Sequence, residues 1–487
     1  MKKLFLSICA PICVLGVLPL ATIELTSCNK NPVSPIPANG CSITTATGVK
    51  FVSTDDDNDF AKSLSGNNTG DITIKTENGE HSISRNGIAG ITFEDDGTLT
   101  QLPDYFLCNF ASFNKALTLP SLLVSTGNYF MNGCTSFNSA LTISDCDSIG
   151  SNFMNGCTSF NSTLTIGDST SIGDYFMTSC SSFNKPLTLP SSLDTTGNYF
   201  MQGCTSFNSA LTISNCDSIG NYFLYNCTSF NQSLTLPSLS GTIGNYFMDG
   251  CTGFNSTLTI SDCTSIGNYF LEGCSSFNKS LTLPSLSSTG NYFMQGCMSF
   301  NSTLTLPSSI ISIGNYFMDG CAGFNTTLTL PSSVTSIGDY FLSSCTSFNQ
   351  ALALSSLTGS IGMGFMQGCT SFNLPLTIGN CTSIGSEFLF NCSSFSQDLT
   401  LPNSINSVGT YFMYGCTAMY TAGVSRVINI GTIPETAFSI NPNNIYTLAT
   451  TTNITTTLGI TIVGAHNADF VLRFPTRTDT PYRKIHV

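Results

Sequence analysis

The sequence predicts a β-rich solenoid: an elongated array of about fourteen rungs, each with one short parallel strand, and a cap at both ends. A segment close to GNYFMQGCTSFNSALTIS, which spans 197–214, recurs every 23 or 24 residues from about Leu102 to Met419. Of the 36 Phe residues, 27 fall in two columns with this period. Charged residues make up 9% of the chain, against about 25% in a typical soluble protein. Such an array buries its aromatic columns by stacking rung on rung and exposes a polar, nearly uncharged surface.

Residues 1–27 are predicted to be a secretory signal peptide. They begin with Lys2 and Lys3, continue with an apolar stretch from Leu4 to Ile23, and lead to the sequence LTSC, which ends at Cys28. LTSC is similar to a bacterial lipobox, in which the Cys receives a diacylglycerol thioether and becomes the new N-terminus. The alternative is an ordinary cleaved signal with an incidental Cys28. The lipobox interpretation predicts a protein lipid-anchored through Cys28 to the extracellular face of the cell membrane.

Two segments separate the signal from the repeats. Residues 28–49 contain three Pro and almost no large apolar side chain, which predicts a flexible stalk. Residues 50–101 alternate apolar and polar residues between Gly, Asn and Asp clusters, which predicts a small β cap over the first rung. The acidic run 55–59 could suggest calcium, but an EF-hand loop would have Gly and Glu where this chain has Phe60 and Gly66. A solvated acidic turn is the preferred interpretation.

Each rung of the array, residues 102–419, contains an apolar-Thr-apolar segment such as Leu141-Thr142-Ile143. Alternation with a period of two directs the apolar residues inward and the Thr outward. The sequence therefore predicts an outer sheet face with a Thr column. Its candidate binding residues are Thr142, Thr165, Thr188, Thr212, Thr235 and Thr259.

A Tyr column directly precedes one of the Phe columns. Because each Tyr is next to an inward Phe, alternation predicts that its ring faces solvent, where Tyr is favoured in binding surfaces. The alternative is that these rings only cover the edge of the core. The candidate binding residues in this column are Tyr129, Tyr175, Tyr199, Tyr222, Tyr246, Tyr269, Tyr292, Tyr316 and Tyr340.

Two further columns are predicted to be structural. Cys recurs once per rung from Cys134 to Cys416, and although disulfides would suit an exported protein, an odd number of Cys, 19, follows Cys28. Side chains stacked along a ladder also point the same way, so buried free thiols are predicted. The Asn column from Asn114 to Asn373 is predicted to tie neighbouring rungs through amide hydrogen bonds.

The sequence contains no pattern for catalysis, a cofactor or a metal. His81, His466 and His486 all lie outside the array, and there is no C-x-x-C pair, no Ser/His/Asp grouping and no Gly-rich phosphate loop. A net charge of -13 without basic clusters argues against a nucleic-acid partner. We therefore predict a protein that is not an enzyme and that uses no cofactor or metal.

The order of residues in IGDYFLSSCTSFNQALAL, residues 337–354, resembles the BspA-type leucine-rich repeats of bacterial surface proteins. The SFNQ-x-L element within it resembles the related repeat of mollicute surface lipoproteins. The run TDTPYRKI in the C-terminal segment, residues 420–487, resembles the closing segment of the same lipoproteins. The resemblance implies a leucine-rich-repeat solenoid, and it implies that 420–487 is a C-terminal cap or a small module.

Three functions are compatible with these observations. The resemblance implies a membrane-anchored surface protein that adheres to a host or matrix protein or glycan. The alternative is a structural surface coat or antigenic shield without a specific ligand, because near-identical rungs offer repetition with little variation. An enzyme within 420–487 is the third hypothesis, and only His466 and Asp469 would support it.

Overall fold

The computed structural model shows a parallel β-solenoid whose rungs repeat every 23 or 24 residues. It describes residues 41–66, 70–94, 97, 99–420, 426–431, 453–455 and 460–464. Within this part of the chain, no helix has the length and apolar character needed to cross a membrane. The predicted signal peptide, Cys28 and most of 420–487 lie outside the described residues.

The N-terminal cap is a small α+β unit. Its elements are β1 (Ser42–Thr45), β2 (Lys50–Val52), α1 (Asp57–Ser63), β3 (Asp71–Thr76), β4 (Gly79–Ser84), a 3₁₀ turn (Arg85–Gly87) and β5 (Ile88–Thr92). Strand β1 lies at the centre of an antiparallel sheet with the order β2-β1-β5, and β3 and β4 form a hairpin. Because β1 pairs with β2 and β5, the cap begins at about Cys41, inside the predicted stalk 28–49, and not at Lys50.

Arg85 joins this cap to the first rung. Its side chain is buried, with a relative exposure of 4%, and its guanidinium lies 5.1 Å from the centre of the Phe110 ring. Its Nη2 donates a hydrogen bond of 2.7 Å to the carbonyl oxygen of Ser65. Since Phe110 occupies the place of Cys in the first rung, the cation covers the open end of the core.

The first strand of a rung carries an outward Thr, replaced by Ala353 in Leu352–Leu354, and we call this set the Thr strands. Neighbouring members pair in parallel and in register, for example Leu141 with Leu164 and Thr142 with Thr165. The Thr strands are Leu117–Thr118, Leu141–Ile143, Leu164–Ile166, Leu187–Thr188, Leu211–Thr212, Leu234–Ser238, Leu258–Asp262, Leu281–Thr282, Leu304–Thr305, Leu352–Leu354, Leu376–Ile378 and Leu399–Thr400.

A second short strand follows the turn of most rungs, which the sequence did not predict. These strands are only two residues long, so they leave no alternating pattern, and their partners lie in the neighbouring rungs. Isolated bridges such as Gln101 with Ser125 continue the same ladder. The strands are Ser148–Ile149, Ser171–Ile172, Thr242–Ile243, Ser265–Ile266, Ser312–Ile313, Ser336–Ile337, Ser360–Ile361, Ser383–Ile384 and Ser407–Val408.

The solenoid sheet continues past the last repeat. Strand Arg426–Gly431 pairs in parallel with Leu399–Thr400, and Ile460–Gly464 pairs in parallel with Arg426–Gly431. Asn453–Thr455 adds an antiparallel strand at the end of this sheet. The strand-like runs in the C-terminal segment are therefore strands, as predicted.

The core contains two Phe columns, which stack ring on ring along the axis beside buried Leu, Ile, Met and Cys side chains. In the column from Phe106 to Phe412, the centres of neighbouring rings are 4.4 to 5.7 Å apart. In the column from Phe113 to Phe395, they are 5.4 to 5.9 Å apart. Burying one such side chain contributes about 1.5–3 kcal/mol, so a rung gains stability from its two buried rings.

The Gly at the position of Gly197, which recurs in each rung from Gly127 to Gly409, is required by the close approach of two rungs. A Cβ placed on Gly197 would lie 2.2 Å from the carbonyl oxygen of Gly173 in the preceding rung, and its φ lies outside the left-handed region. Close approach, and not a left-handed backbone, therefore explains Gly197. Gly203 differs, because its φ of +71° lies in the left-handed region that favours glycine.

This contact predicts that Gly197→Ala destabilises the array. The added methyl group must push two backbones apart, at a cost of about 1–3 kcal/mol. Gly70→Ala is the matched control, because a Cβ there meets no atom within 4 Å. The measurement is the urea midpoint of both variants, and equal midpoints would contradict the close-packing explanation.

Candidate binding surface

The Thr residues of the Thr strands form one exposed column, which we call the Thr face. In the strand Leu234–Ser238, Leu234 and Leu236 are buried and Thr235 is exposed. The same pattern recurs along the array, as at Thr212 and Thr259, whereas Thr142 is partly buried. The predicted outward direction of these side chains is confirmed. The prediction that they bind a partner remains untested.

The Asn column ties the rungs together, as predicted. Each Asn side chain accepts a hydrogen bond through Oδ1 from the backbone N–H of the equivalent Asn in the next rung, at 2.8–2.9 Å, as in Asn231 to Asn208 and Asn255 to Asn231. The series begins with Asn138 bonding to Asn114 and ends with Ser396 bonding to Asn373. One polar side chain per rung therefore satisfies a backbone donor that the loop would otherwise leave to water.

A second axial ladder precedes the Tyr residues, and the sequence reasoning missed it. Here Asn, Asp or Ser accepts from the next rung's backbone N–H, for example Asn221 from Asn245 at 2.7 Å and Asp174 from Asn198 at 2.7 Å. The signal was present, because nine of the fourteen rungs read Gly-Asn or Gly-Asp at this point. The acceptor oxygens of these side chains bond to the next rung, so they do not offer a free binding site.

The Cys column is buried and reduced. All 19 cysteines after Cys28 lie in the described part of the chain and are buried free thiols. Each Cys of the column donates a hydrogen bond to a carbonyl of the preceding rung, as Cys204 does to Met177 at 3.2 Å. Burial raises the pKa of Cys157 and Cys227 to about 12, so these thiols stay protonated and unreactive at neutral pH. The prediction of buried free thiols is confirmed.

The Tyr column has a backbone conformation that the sequence did not predict. Its eleven Tyr residues have φ between 53° and 60°, in the left-handed region that side chains rarely adopt. The rings are half-buried, because neighbouring rings of the column cover much of their faces. Alternation assumes an extended backbone, and a left-handed residue breaks that assumption. The column comprises Tyr105, Tyr129, Tyr175, Tyr199, Tyr222, Tyr246, Tyr269, Tyr292, Tyr316, Tyr340 and Tyr411.

Within the Tyr column the rings stack on one another. From Tyr175 to Tyr340, neighbouring ring centres are 4.3 to 4.8 Å apart, with interplanar angles of 3° to 16°. Tyr105 and Tyr129 form a separate stacked pair. Most ring faces are thus covered by other Tyr rings, and the stacking offsets the cost of the left-handed backbone. This geometry favours the alternative that the Tyr rings cover the edge of the core.

Acidic residues lie in one column beside the Tyr rings. Asp249 and Glu272 occupy equivalent positions in adjacent rungs and are both half-buried. Burial, and secondarily the carboxylate of Glu272, raises the pKa of Asp249 to about 7. Further along, Gln295 donates a hydrogen bond of 2.8 Å to Asp319. The like charges of Asp249 and Glu272 therefore oppose each other at neutral pH.

The acidic run 55–59 is not a solvated turn, as the sequence suggested, but the start of helix α1. Asp56 caps the helix by accepting from the backbone N–H of Asp59 at 2.9 Å. Asp57 is buried, with 1% exposure, and accepts hydrogen bonds from the Cys41 thiol at 2.6 Å and from the Glu94 N–H. No group of three or more His, Cys, Asp or Glu side chains among the described residues is placed to hold a metal ion.

The raised pKa predicts that Asp249→Asn stabilises the protein at pH 8 and not at pH 4. The folded state favours the neutral carboxyl of Asp249. The free energy of unfolding of the wild type is therefore highest below the pKa of the unfolded state, near 4, and falls as the pH rises through the folded-state pKa of about 7. The amide is neutral at every pH. We expect a gain of about 1–2 kcal/mol at pH 8, reduced from the ideal value by solvent screening.

The measurement is the thermal midpoint of wild type and Asp249→Asn between pH 4 and pH 8. Asp217→Asn serves as the control, because Asp217 is an exposed carboxylate in a turn of the array. A difference between wild type and Asp249→Asn that is the same at pH 4 and pH 8 would contradict the assignment.

Comparisons with known proteins agree with this repeat architecture. The sequence profile of the BspA type leucine rich repeat region (6 copies) matches residues 84–208, 162–278, 264–395 and 359–459, which together span well over half of the chain. No curated protein sequence shows a significant match.

Three solved structures are similar at low identity. A leucine-rich repeat protein from Bacteroides ovatus is 17% identical, with a TM-score of 0.47, and the match covers 72% of this chain and 83% of that one. A leucine rich cell surface protein from Faecalibacterium prausnitzii is 14% identical, with a TM-score of 0.41 and coverage of 80% and 94%. The pneumococcal vaccine antigen PcpA is 13% identical, with a TM-score of 0.34 and coverage of 77% and 92%. With the profile match over most of its length, the chain belongs to the BspA-type leucine-rich-repeat family.

Proposed function

We propose that this protein is a lipid-anchored protein of the extracellular face of the cell membrane that binds a host or matrix protein or glycan through its Thr face. Residues 1–27 would direct export, Cys28 would carry the lipid, and the stalk up to about residue 40 would hold the solenoid away from the membrane. The family assignment supports a non-catalytic repeat protein. The LTSC sequence after an apolar stretch supports the anchor.

The observation that carries this proposal is the regularity of the Thr face. Thr212, Thr235 and Thr259 are exposed on successive rungs at the spacing of a parallel sheet, about 4.8 Å. Each presents a methyl group and a hydroxyl, so the face offers apolar contact and hydrogen bonding without charge. The Asn and Tyr columns, in contrast, already use most of their bonding capacity between rungs.

A structural coat without a specific ligand remains the rival function. Its support is that most repeated residues serve the scaffold: Phe and Cys fill the core, and Asn ties the rungs. A coat would need only a stable, uncharged exterior. The two functions differ in whether the Thr face binds anything saturably.

The test is saturable binding of cells that display the full chain to host cells and to matrix-coated surfaces. We expect the triple variant Thr212→Lys, Thr235→Lys, Thr259→Lys to weaken binding at least tenfold, because three bulky charges would cover the Thr face. The matched control is Thr205→Lys, Thr228→Lys, Thr252→Lys, in which exposed Thr residues after the Cys column change in three consecutive rungs of the same region. A Cys28→Ala strain controls for the anchor, because its protein should leave the cells for the medium.

Equal loss of binding in both triple variants would show that charge alone matters and would reject the Thr face as the contact. No saturable binding by wild type would favour the coat.

A further inference from the structure

The Tyr column is interrupted for a single rung between Tyr129 and Tyr175, where Asn152 takes the place of Tyr. Asn152 has a φ of 57°, against 60° for Tyr129 and 58° for Tyr175, so the backbone continues unchanged. Phe130, Phe153 and Phe176 stack directly behind this point, with ring centres 4.4 and 5.2 Å apart. The interruption therefore removes one ring without disturbing the rungs that carry its neighbours.

The Asn152 side chain ends at its amide, so it fills only the inner part of the space that a Tyr ring would occupy. Its Oδ1 accepts a hydrogen bond of 3.0 Å from Nδ2 of Asn155 in the same rung. Tyr129 is stacked on Tyr105 on one side, and Tyr175 on Tyr199 on the other. The ring faces that Tyr129 and Tyr175 turn towards Asn152 have no aromatic neighbour among the described residues.

The spacing between these two faces matches one aromatic ring. Two rung steps of a parallel sheet amount to about 9.5 Å. Elsewhere in the column the same two steps hold one further ring, as Tyr222 lies between Tyr199 and Tyr246 with centre distances of 4.4 and 4.3 Å. A flat ring that enters from the surface and displaces the Asn152 amide would restore the stacking geometry that the protein itself uses.

The edge of this slot is polar. Within the described hydrogen bonds, Nδ2 of Asn152 and Oδ1 of Asn155 have no partner, so one donor and one acceptor are available beside the slot. A phenol hydroxyl or an indole N–H at the edge of an inserted ring could bond to them. A ring with a polar edge therefore fits better than a purely apolar one.

The other interruption of the column has no such slot. In the rung after Tyr340, Gly364 takes the place of Tyr. The Tyr340 ring fills the space beside it, because a Cβ on Gly364 would clash with Cδ1 of that ring. The next rung carries Glu387, whose carboxylate is unsuited to an aromatic partner. Asn152 is thus the position at which one ring is missing between two facing Tyr rings.

We propose that the slot between Tyr129 and Tyr175 binds one Tyr or Trp side chain of a partner protein. The inserted ring would stack on both Tyr faces, as neighbouring Tyr rings of the column stack on each other. Since the chain carries a net charge of -13, the partner segment would be neutral or basic. This inference rests on the proposed binding function, because it assigns an anchoring contact for a protein partner.

The experiment titrates N-acetyltryptophanamide with the full chain and follows the indole fluorescence. The chain contains no Trp, so the signal comes from the probe alone. We expect one site of about millimolar affinity in wild type, a typical strength for a fragment held by one ring. Asn152→Tyr should complete the stack and weaken probe binding at least tenfold, while keeping or raising the thermal midpoint.

Two further variants separate the slot from a general effect of Tyr. Glu387→Tyr adds a ring to the same column away from the slot and should leave probe binding unchanged. Tyr292→Asn should create a second slot and raise the number of probe molecules bound per chain to two. Tyr292 lies between Tyr269 and Tyr316 in the column, and Gln295 supplies an amide three residues later.

Absence of probe binding to wild type, or equal binding to wild type and Asn152→Tyr, would overturn the proposal. Binding of methyl glucoside in place of the indole probe would also overturn it, because the slot would then be a sugar site. The proposed function fails separately, if wild type does not bind host cells or matrix.

Discussion

The structure depends on one constraint: every rung must lie on its neighbour at the spacing of hydrogen-bonded parallel strands. That spacing fixes which residue can occupy each column. Gly197 is needed because a Cβ would strike the backbone of the preceding rung, and Phe fills the core because flat rings stack at this repeat distance. On the outside of the solenoid, the Asn column joins neighbouring rungs, because each Asn Oδ1 accepts a hydrogen bond from the backbone N–H of the next rung. Repetition in the sequence is therefore the direct result of repetition in space.

The constraint also explains why so little of the surface is free to bind. Stacked side chains satisfy one another along the axis, so the thiols, amides and most phenol rings serve the scaffold. What remains exposed on successive rungs is the Thr face, together with places where a column is interrupted. Asn152 is such a place, because the rung keeps its backbone while one ring is missing.

Much of this fold could be predicted from the sequence, because its signals are periodic. The 23- or 24-residue repeat predicted the solenoid, and the conserved spacing of Phe, Cys and Thr within the chain predicted which columns lie inside and outside. The Tyr orientation could not be predicted by alternation, since the rule holds for extended backbone and these residues are left-handed. The two-residue Ser-Ile strands were missed because their partners lie in other rungs. Asp57 was missed because its burial depends on Cys41 and Glu94, which are distant in sequence.

The most direct test of the axial ladder is amide-resolved hydrogen exchange of the Asn column. These residues lie in largely exposed loops, where amides ordinarily exchange within seconds unless they are bonded. Because each N–H donates to the Oδ1 of the preceding rung, we expect the amides from Asn138 to Asn373 to exchange as slowly as those of the Thr strands. Exchange at the rate of free loop amides, with the Thr strands still protected, would contradict the central claim that side-chain ladders hold the rungs together.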